Sequence, residues 1–432
     1  MPVFAEKLYN FITEDDDASV CEDIPDESCH EIPKSFLLNA GNGASTKLAE
    51  QLVSPSITLP WMFSFLGAPS FLFGWLVPLK NIGSLLPQLF VSGRIRTYPR
   101  RKYFWVLAGV IQAVCLVAMA LSIAIVPQNA AWIIVVLLLL FSIASGVGSI
   151  AFKEVLAKTI PKGERGQLLA TRAFAGGVLA LLSGAYLKFF VWDEAEIPVF
   201  ISILSVAALL WVLATLLFAA IQEEKGATSG GRSAIKELKN GWQIFSNNQN
   251  FRRFLIARAL LMIVPLATPF YVMQVNRLTG TDITSLGILI IVSAAANIIG
   301  GPLWGRFADR KSHKLMGWMA VFGAITIVLA LVMYHVPESW VSVYTFVPVF
   351  LFNSLSHSGT RLARKTYLVD FAPEKERPLY TSFSNTAIGI IALISVFLGS
   401  LAAWLGLQLF YLFLIVLLSV GAVMSFRLKN VS

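Results

Sequence analysis

The residues of this sequence best suited to bind a small charged solute lie between Leu37 and Trp61. Lys47 and Glu50 are three positions apart there, a spacing that sets two side chains next to each other on an α-helix and allows an ion pair. At 100° per residue, Glu50 shares one face with several hydrogen-bonding side chains: Asn39, Asn42 and Thr46. The pattern predicts a helix with one polar face turned toward a cavity.

Two more basic residues lie inside apolar runs, Lys80 and Arg258. Lys80 has no acidic residue within its own run, so Glu50 is its predicted partner, shared with Lys47. Arg258 lies about one and a half turns into its run, and two interpretations stay open. Its long side chain either extends to a membrane surface or adds a third cation to the cavity.

Ionisable groups within apolar segments are costly and usually serve a function. With Arg258 included, Lys47 and Lys80 would give three cations around one carboxylate, which favours an anionic ligand group. The alternative is that Lys47 and Glu50 form a purely structural ion pair. These residues are therefore candidate substrate-binding or coupling residues: Asn39, Asn42, Thr46, Lys47, Glu50, Lys80 and Arg258.

The elements that position these residues are those of a membrane protein. Of the 432 residues 56 % are hydrophobic and only 14 % are charged. From residue 69 to 426, eleven apolar runs of about 20 residues recur, each long enough to cross a bilayer. Alternating segments of about ten residues, which would indicate a transmembrane β-barrel, are not the pattern here. The fold class is predicted to be all-α, integral and multi-pass.

Basic residues are concentrated in every second connection between these runs. Five lie in each of residues 93–102, 151–172 and 361–377, and four in 305–314, whereas the other connections hold almost none. Because basic connections remain cytoplasmic, the net charge of +9 indicates membrane orientation rather than binding to nucleic acid. The expected location is the inner membrane, with both termini cytoplasmic.

An internal repeat places the first helix. "GRIRTYPRRK" begins at Gly93 and "GRFADRKSHK" at Gly305, and "PKGERG" and "PEKERP" are separated by the same 212 residues. Two loop matches at one offset predict two similar halves of six helices. The second half shows six apolar runs, so the missing first run falls on the polar stretch near residue 42. The predicted units are an acidic cytoplasmic tail 1–34, a bundle 35–220, a cytoplasmic linker 221–252 and a bundle 253–428.

Two other interpretations of the polar stretch were weighed. "GNGASTK" differs from a phosphate-binding loop, in which the lysine precedes the Ser or Thr and the loop follows a strand. An amphipathic helix lying on the membrane surface remains the open alternative.

The loop "GRFADRKSHK" resembles the signature loop of the major facilitator superfamily, G-x-x-x-D-R-x-G-R-R/K. Gly305, Asp309, Arg310 and Lys314 match it, whereas Ser312 and His313 depart from it. The first-half copy is degenerate, with a threonine at the aspartate position. The resemblance implies twelve transmembrane helices in two pseudo-symmetric six-helix bundles, with a cavity that opens alternately to the two sides.

The same resemblance implies a cytoplasmic gate. In the family, the loop aspartate contacts a neighbouring helix end and the basic residues pair with acids. Carried over to this sequence, the gate residues are Gly305, Asp309, Arg310, Glu164, Arg165, Glu376 and Arg377. The alternative is that these charges only set the topology.

The expected function is secondary active transport of a small solute by alternating access, with an organic anion as the candidate substrate. Glu50 is the candidate site for a coupled proton. The expected partners are substrate, proton and lipid bilayer, and the chain is expected to act as a monomer. No catalytic, metal or cofactor site is predicted, since H-E-x-x-H and G-x-S-x-G are absent. A transporter-like receptor, a lipid scramblase and an integral-membrane enzyme are the rival functions.

Overall fold

The computed structural model describes residue 9 and residues 31–95, 97–161, 164–191, 197–225, 234–280, 282–373 and 376–431. Almost all of the predicted acidic tail and the centre of the predicted linker lie outside these residues. The described chain is helical nearly throughout, which agrees with the all-α prediction.

The described part of the first half contains seven helices. They are α1 (Ile32–Leu52), α2 (Thr58–Phe65), α3 (Ser70–Ile95), α4 (Lys102–Ile125), α5 (Pro127–Thr159), α6 (Arg165–Phe190) and α7 (Ile197–Ala219). The polar stretch is therefore helical, as the repeat predicts, but it is not one continuous helix. It breaks around Pro55, which has no N–H to donate and disfavours helical geometry at the preceding residue.

The second half begins with an unpredicted helix in the linker. Its elements are α8 (Ala234–Asn247), α9 (Gln249–Leu261), α10 (Ile263–Thr279), α11 (Ile283–Val332), α12 (Val343–Phe371), α13 (Arg377–Ser395), α14 (Phe397–Leu405) and α15 (Leu407–Phe426). The 305–314 loop was predicted too long. Helical structure persists on both sides of Lys311, where φ is −151° and ψ is 63°.

Eight helical stretches of the described chain are long and apolar enough to cross a membrane. One of them is α11, whose 50 residues break at Lys311 into two segments. Three further long helices, α1, α3 and α12, are not among the eight, and each carries ionisable residues within it. Together these elements are consistent with twelve crossings, and they show why hydropathy alone undercounts them.

Helix ends reproduce the repeat. α5 ends at Thr159 and α6 begins at Arg165, and α12 and α13 have their matching ends exactly 212 residues later. Arg165 donates to the carbonyl oxygen of Ala157 at 2.8 Å, and Arg377 donates to that of Val369 at 2.9 Å. Each arginine thereby bonds a carbonyl near the end of the preceding helix, which helix geometry leaves without an intrahelical partner.

The main contacts between the two halves involve α3 and α6. α3 packs against α13, α14 and α10, and α6 packs against α11; α2 also contacts α10. We call the end of the molecule where α5 gives way to α6 and α12 to α13 the basic end. The other end, where α2 gives way to α3 and α14 to α15, is the opposite end.

Candidate functional site

Lys47 and Glu50 form the predicted ion pair. Lys47 Nζ lies 3.0 Å from Glu50 Oε2, and the two side chains are 52 % and 30 % exposed. The stem of Lys47 packs on Gly176 of α6, where an added Cβ would lie 2.3 Å from the Lys47 Cβ. The small residue lets α1 approach α6 closely while the ammonium group stays accessible to water. The pair therefore sits at the edge of an open interior space.

Lys80 lies beside this pair. It lines a narrow cavity with Glu50 that has room for about one water molecule. Among the described residues Lys80 has no ion pair within 4.0 Å, although it interacts electrostatically with Glu50 and is repelled by Lys47. Glu50 therefore contacts Lys47 directly, whereas it acts on Lys80 only at longer range.

The other polar residues of α1 are buried in helix packing rather than lining the open space. Asn42 Nδ2 donates to the carbonyl oxygen of Ala214 on α7 at 2.9 Å, and Asn39 and Thr46 bond carbonyls within α1. All three are at most 7 % exposed. The face of α1 that was predicted to line the cavity therefore has two parts. Its first turns pack α1 against its own bundle, where small residues such as Gly41 and Gly43 let neighbouring helices approach. Only Lys47 and Glu50 are partly exposed.

Arg172 is a site residue that sequence reasoning missed. It was counted as a connection charge, but it lies two turns inside α6. Its Nη1 donates to the carbonyl oxygen of Asn39 at 2.7 Å, and its guanidinium covers the Phe152 ring at 4.4 Å. It also interacts electrostatically with Glu50. Its distance from the start of the helix at Arg165 is the signal that could have revealed it.

Arg258 is buried, so the interpretation in which it reaches a membrane surface is wrong. Its guanidinium donates to Ser384 Oγ and, at 2.8 Å, to Asn385 Oδ1, both on α13. α9 and α13 are the counterparts of α1 and α6 in the repeat. Each half therefore has an arginine that joins its first and fifth membrane helices. In the first half the fifth helix contributes it, and in the second half the first helix does.

Replacement of Arg258 with Met is expected to lower the melting temperature of the purified protein by several degrees, because it leaves Ser384 and Asn385 without their donor. Each lost charge-assisted bond is worth about 1.5–3 kcal/mol. A thermal melt in detergent checks this. The matched control is Arg252→Met, since Arg252 is exposed. Equal melting temperatures for the two variants would contradict a bridging role.

A second missed group lies on α12. Arg361, Arg364 and Lys365 were assigned to a basic loop, but all three are within the helix, with His357 preceding them. Their spacing from His357 is four, seven and eight residues, which puts the four side chains on one helix face. That helical spacing was readable in the sequence and was obscured by counting charges for topology.

These groups form one electrostatic cluster across the two halves. Lys80 is repelled by Arg361, and Lys365 is repelled by Lys47 and Lys153. We call the following set the cationic cleft: Lys47, Glu50, Lys80, Arg172, Arg361, Arg364 and Lys365. Glu50 is its single carboxylate. Arg361 and Lys365 are exposed, as Lys47 is, so water enters between the halves.

At the opposite end the halves are closed by glycine contacts. A Cβ on Gly399 of α14 would lie 2.1 Å from the backbone oxygen of Phe71, and one on Gly74 would lie 2.3 Å from the Gly399 Cα. On the other side of the molecule, a Cβ on Gly287 of α11 would lie 2.7 Å from the Gly184 oxygen of α6. Backbones this close exclude any passage along those helix pairs, so the cleft opens toward the basic end.

The predicted gate residues lie at the basic end. Asp309 is exposed and makes no hydrogen bond or ion pair with another described residue. Glu164 is buried at the start of α6, and Glu376 is exposed at the start of α13. Arg165 and Arg377 bond helix carbonyls instead of acidic side chains.

Comparison with known families gives a match over most of the chain. The family model described as Major Facilitator Superfamily matches residues 40–361 and 280–431. The chain is 24 % identical over 269 residues to the uncharacterized protein Rv2209 of Mycobacterium tuberculosis, and the match covers 60 % of this chain and 51 % of that protein. The chain thus spans about half the length of the curated relatives it matches.

Solved structures agree in fold. The nucleoside transporter NupG superimposes with a TM-score of 0.72 at 11 % identity, covering 92 % of this chain and 100 % of that one. A D-xylose-proton symporter superimposes with a TM-score of 0.69 at 14 % identity, covering 92 % and 98 %. At these identities the likeness extends to the fold alone.

Proposed function

The chain belongs to the major facilitator superfamily, and on this premise we propose that it is a membrane transporter rather than an enzyme and carries a small organic anion by alternating access. The observation that carries the proposal is the charge imbalance of the cationic cleft, in which Glu50 faces several cations. Unpaired charges at this depth are expensive, and an anionic substrate would supply the missing counter-charge.

Glu50 is the proposed site of proton coupling. Its carboxylate holds the Lys47 ammonium at 3.0 Å. Protonation of Glu50 would release Lys47 to the substrate, and departure of the proton would restore the ion pair and displace the substrate. Proton and anion would then travel in the same direction. The D-xylose-proton symporter among the similar structures supports this only as a precedent on the same fold.

Uptake into sealed membrane vesicles tests the proposal. Vesicles with the protein should accumulate an anionic substrate when the outside is acidic, and accumulation should stop when an ionophore collapses the gradient. Glu50→Gln should leave downhill exchange but remove gradient-driven accumulation. Binding without flux would identify a transporter-like receptor, and movement of lipid alone would identify a scramblase; either outcome would refute the proposal.

We further propose that the 35–220 and 253–428 bundles act as the two moving bodies, joined by the linker, in the inner membrane with both termini cytoplasmic. Because the cleft is formed within one chain, a monomer suffices. The alternating basic connections support this orientation. In it, the basic end faces the cytoplasm.

Cysteine labelling is expected to report this orientation. Ser64 lies in the last turn of α2, at the opposite end. In intact cells, Ser64→Cys in a background without other cysteines should react with an impermeant maleimide. The matched control is the wild-type protein, in which the native Cys21 and Cys29 should react only after the cells are permeabilised. Labelling of Cys21 and Cys29 from outside would contradict the orientation.

A further inference from the structure

We infer that the transported anion carries at least two negative charges, one bound by each half of the protein. This inference rests on the proposed anion transport and narrows its substrate class to dicarboxylates, phosphorylated carboxylic acids and other anions with two separate charged groups. Its basis is the distribution of uncompensated cations between the two halves.

In the first half, most cations of the cleft already have a partner. Lys47 is paired with Glu50, and Arg172 is bonded to the carbonyl oxygen of Asn39 and stacked on Phe152. Lys80 is left without an ion pair among the described residues. One anionic group from a substrate would therefore give Lys80 the partner that it lacks.

Charge in the second half is not balanced. Arg361, Arg364 and Lys365 stand on one face of α12, and the described residues offer them no carboxylate within 4.0 Å. His357, on the same face, supplies no negative charge. Arg258 interacts with Arg364 and is also positively charged. A single charge bound at Lys80 would leave this group uncompensated, so a second anionic group is needed.

Repulsion across the cleft gives the two charges a mechanical role. Lys80 repels Arg361, and Lys47 repels Lys365, so like charges on opposite halves resist closure of the basic end. A substrate with one anionic group on each half replaces both repulsions by attractions. A singly charged analogue relieves only one of them. The basic end would therefore close readily only when a substrate with both negative charges is bound.

The test is a thermal-shift screen of the full-length purified protein, since a ligand of the folded state raises its melting temperature. The library holds small dicarboxylic and phosphorylated acids, each with a partner of the same skeleton lacking one charge, such as succinate with succinamate and glutarate with glutaramate. The strongest stabilisers should carry two or more negative charges, and each less-charged partner should bind at least about tenfold more weakly. Strongest stabilisation by neutral or singly charged solutes, or by none of the library, would overturn the inference.

A variant then locates the second charge. Arg361→Gln removes one cation from an exposed position and no core volume. It should weaken the doubly charged ligand about tenfold or more and its singly charged partner by less than about twofold. Lys429→Gln, an exposed change outside the cleft, should affect neither. Equal weakening of both ligands in Arg361→Gln would overturn the inference.

Flux separates this inference from the proposed function. If a singly charged acid binds best and is transported, the inference fails and the proposed anion transport stands. If a doubly charged ligand binds through Arg361 but never crosses the membrane, the proposed transport fails and the two-charge site stands.

Discussion

Replacing Lys80 with Gln is expected to reduce transport of an anionic substrate by about 10- to 100-fold. Lys80 has no ion pair of its own among the described residues, yet it borders Glu50 and faces Arg361 of the other half. A charge-assisted bond to substrate is worth about 1.5–3 kcal/mol, and about 1.4 kcal/mol corresponds to a factor of ten. Initial rates of uptake against substrate concentration measure the loss.

The matched control is Arg94→Gln on the same helix, since Arg94 is exposed near its end. It should transport normally. A neutral analogue of the substrate, if carried at all, should be affected much less by Lys80→Gln than the anion is. Equal rates of uptake by Lys80→Gln and the wild type would show that Lys80 does not bind the substrate.

The Lys47 and Glu50 pair needs a different experiment, because the alternative of a structural ion pair remains open. Single neutralisations would lose gradient-driven transport under either account, by uncoupling or by leaving one charge of a structural pair uncompensated. The double variant Lys47→Met with Glu50→Gln separates them, since a replaceable structural pair would recover both folding and transport. We expect recovery of folding only, with gradient-driven transport lost.

Gly399→Trp is expected to lower transport by about 100-fold or more. Even a Cβ at this position would lie 2.1 Å from the Phe71 backbone oxygen, so a full side chain must push α14 away from α3. Overpacking a close contact costs about 3 kcal/mol or more for such a change, enough to depopulate the conformation closed at the opposite end about 100-fold. The transporter would be held open to that side.

A binding measurement distinguishes a transporter held in one conformation from a misfolded protein. The purified Gly399→Trp protein should still be stabilised by substrate while failing to exchange it across a membrane. Gly301→Trp is the matched control, because Gly301 on α11 has no atom within 4 Å of an added Cβ. Gly184→Trp, at the other contact between halves, should behave like Gly399→Trp. Normal transport by Gly399→Trp would show that this contact is not part of the gate.

The sequence was informative wherever a regular pattern encoded the structure. The offset of 212 residues identified α1 as a helix despite its polarity, and helix ends at Thr159 and Phe371 follow the same offset. The spacing of Lys47 and Glu50 anticipated their contact at 3.0 Å. Periodicity and repeat are local or one-dimensional signals, so they survive without knowledge of packing.

Sequence reasoning missed site residues where a basic residue could belong either to a connection or to a helix. Arg172, Arg361 and Lys365 are basic residues close to helix ends, and a topology count assigns such residues to connections. Only the true helix ends show that they lie inside. The burial of Asn42 against α7, and the glycine contacts between α3 and α14, depend on which helices become neighbours. One sequence does not encode that choice in any local pattern.

The most direct test of the central claim is counterflow in liposomes containing only the purified protein. Liposomes are loaded with unlabelled doubly charged substrate, and labelled substrate is added outside with no ion gradient. The account predicts transient accumulation of label in wild-type liposomes, little in Lys80→Gln or Arg361→Gln, and normal accumulation in Lys429→Gln. Absence of counterflow in wild-type liposomes, despite binding of the same substrate, would contradict alternating access through the cationic cleft.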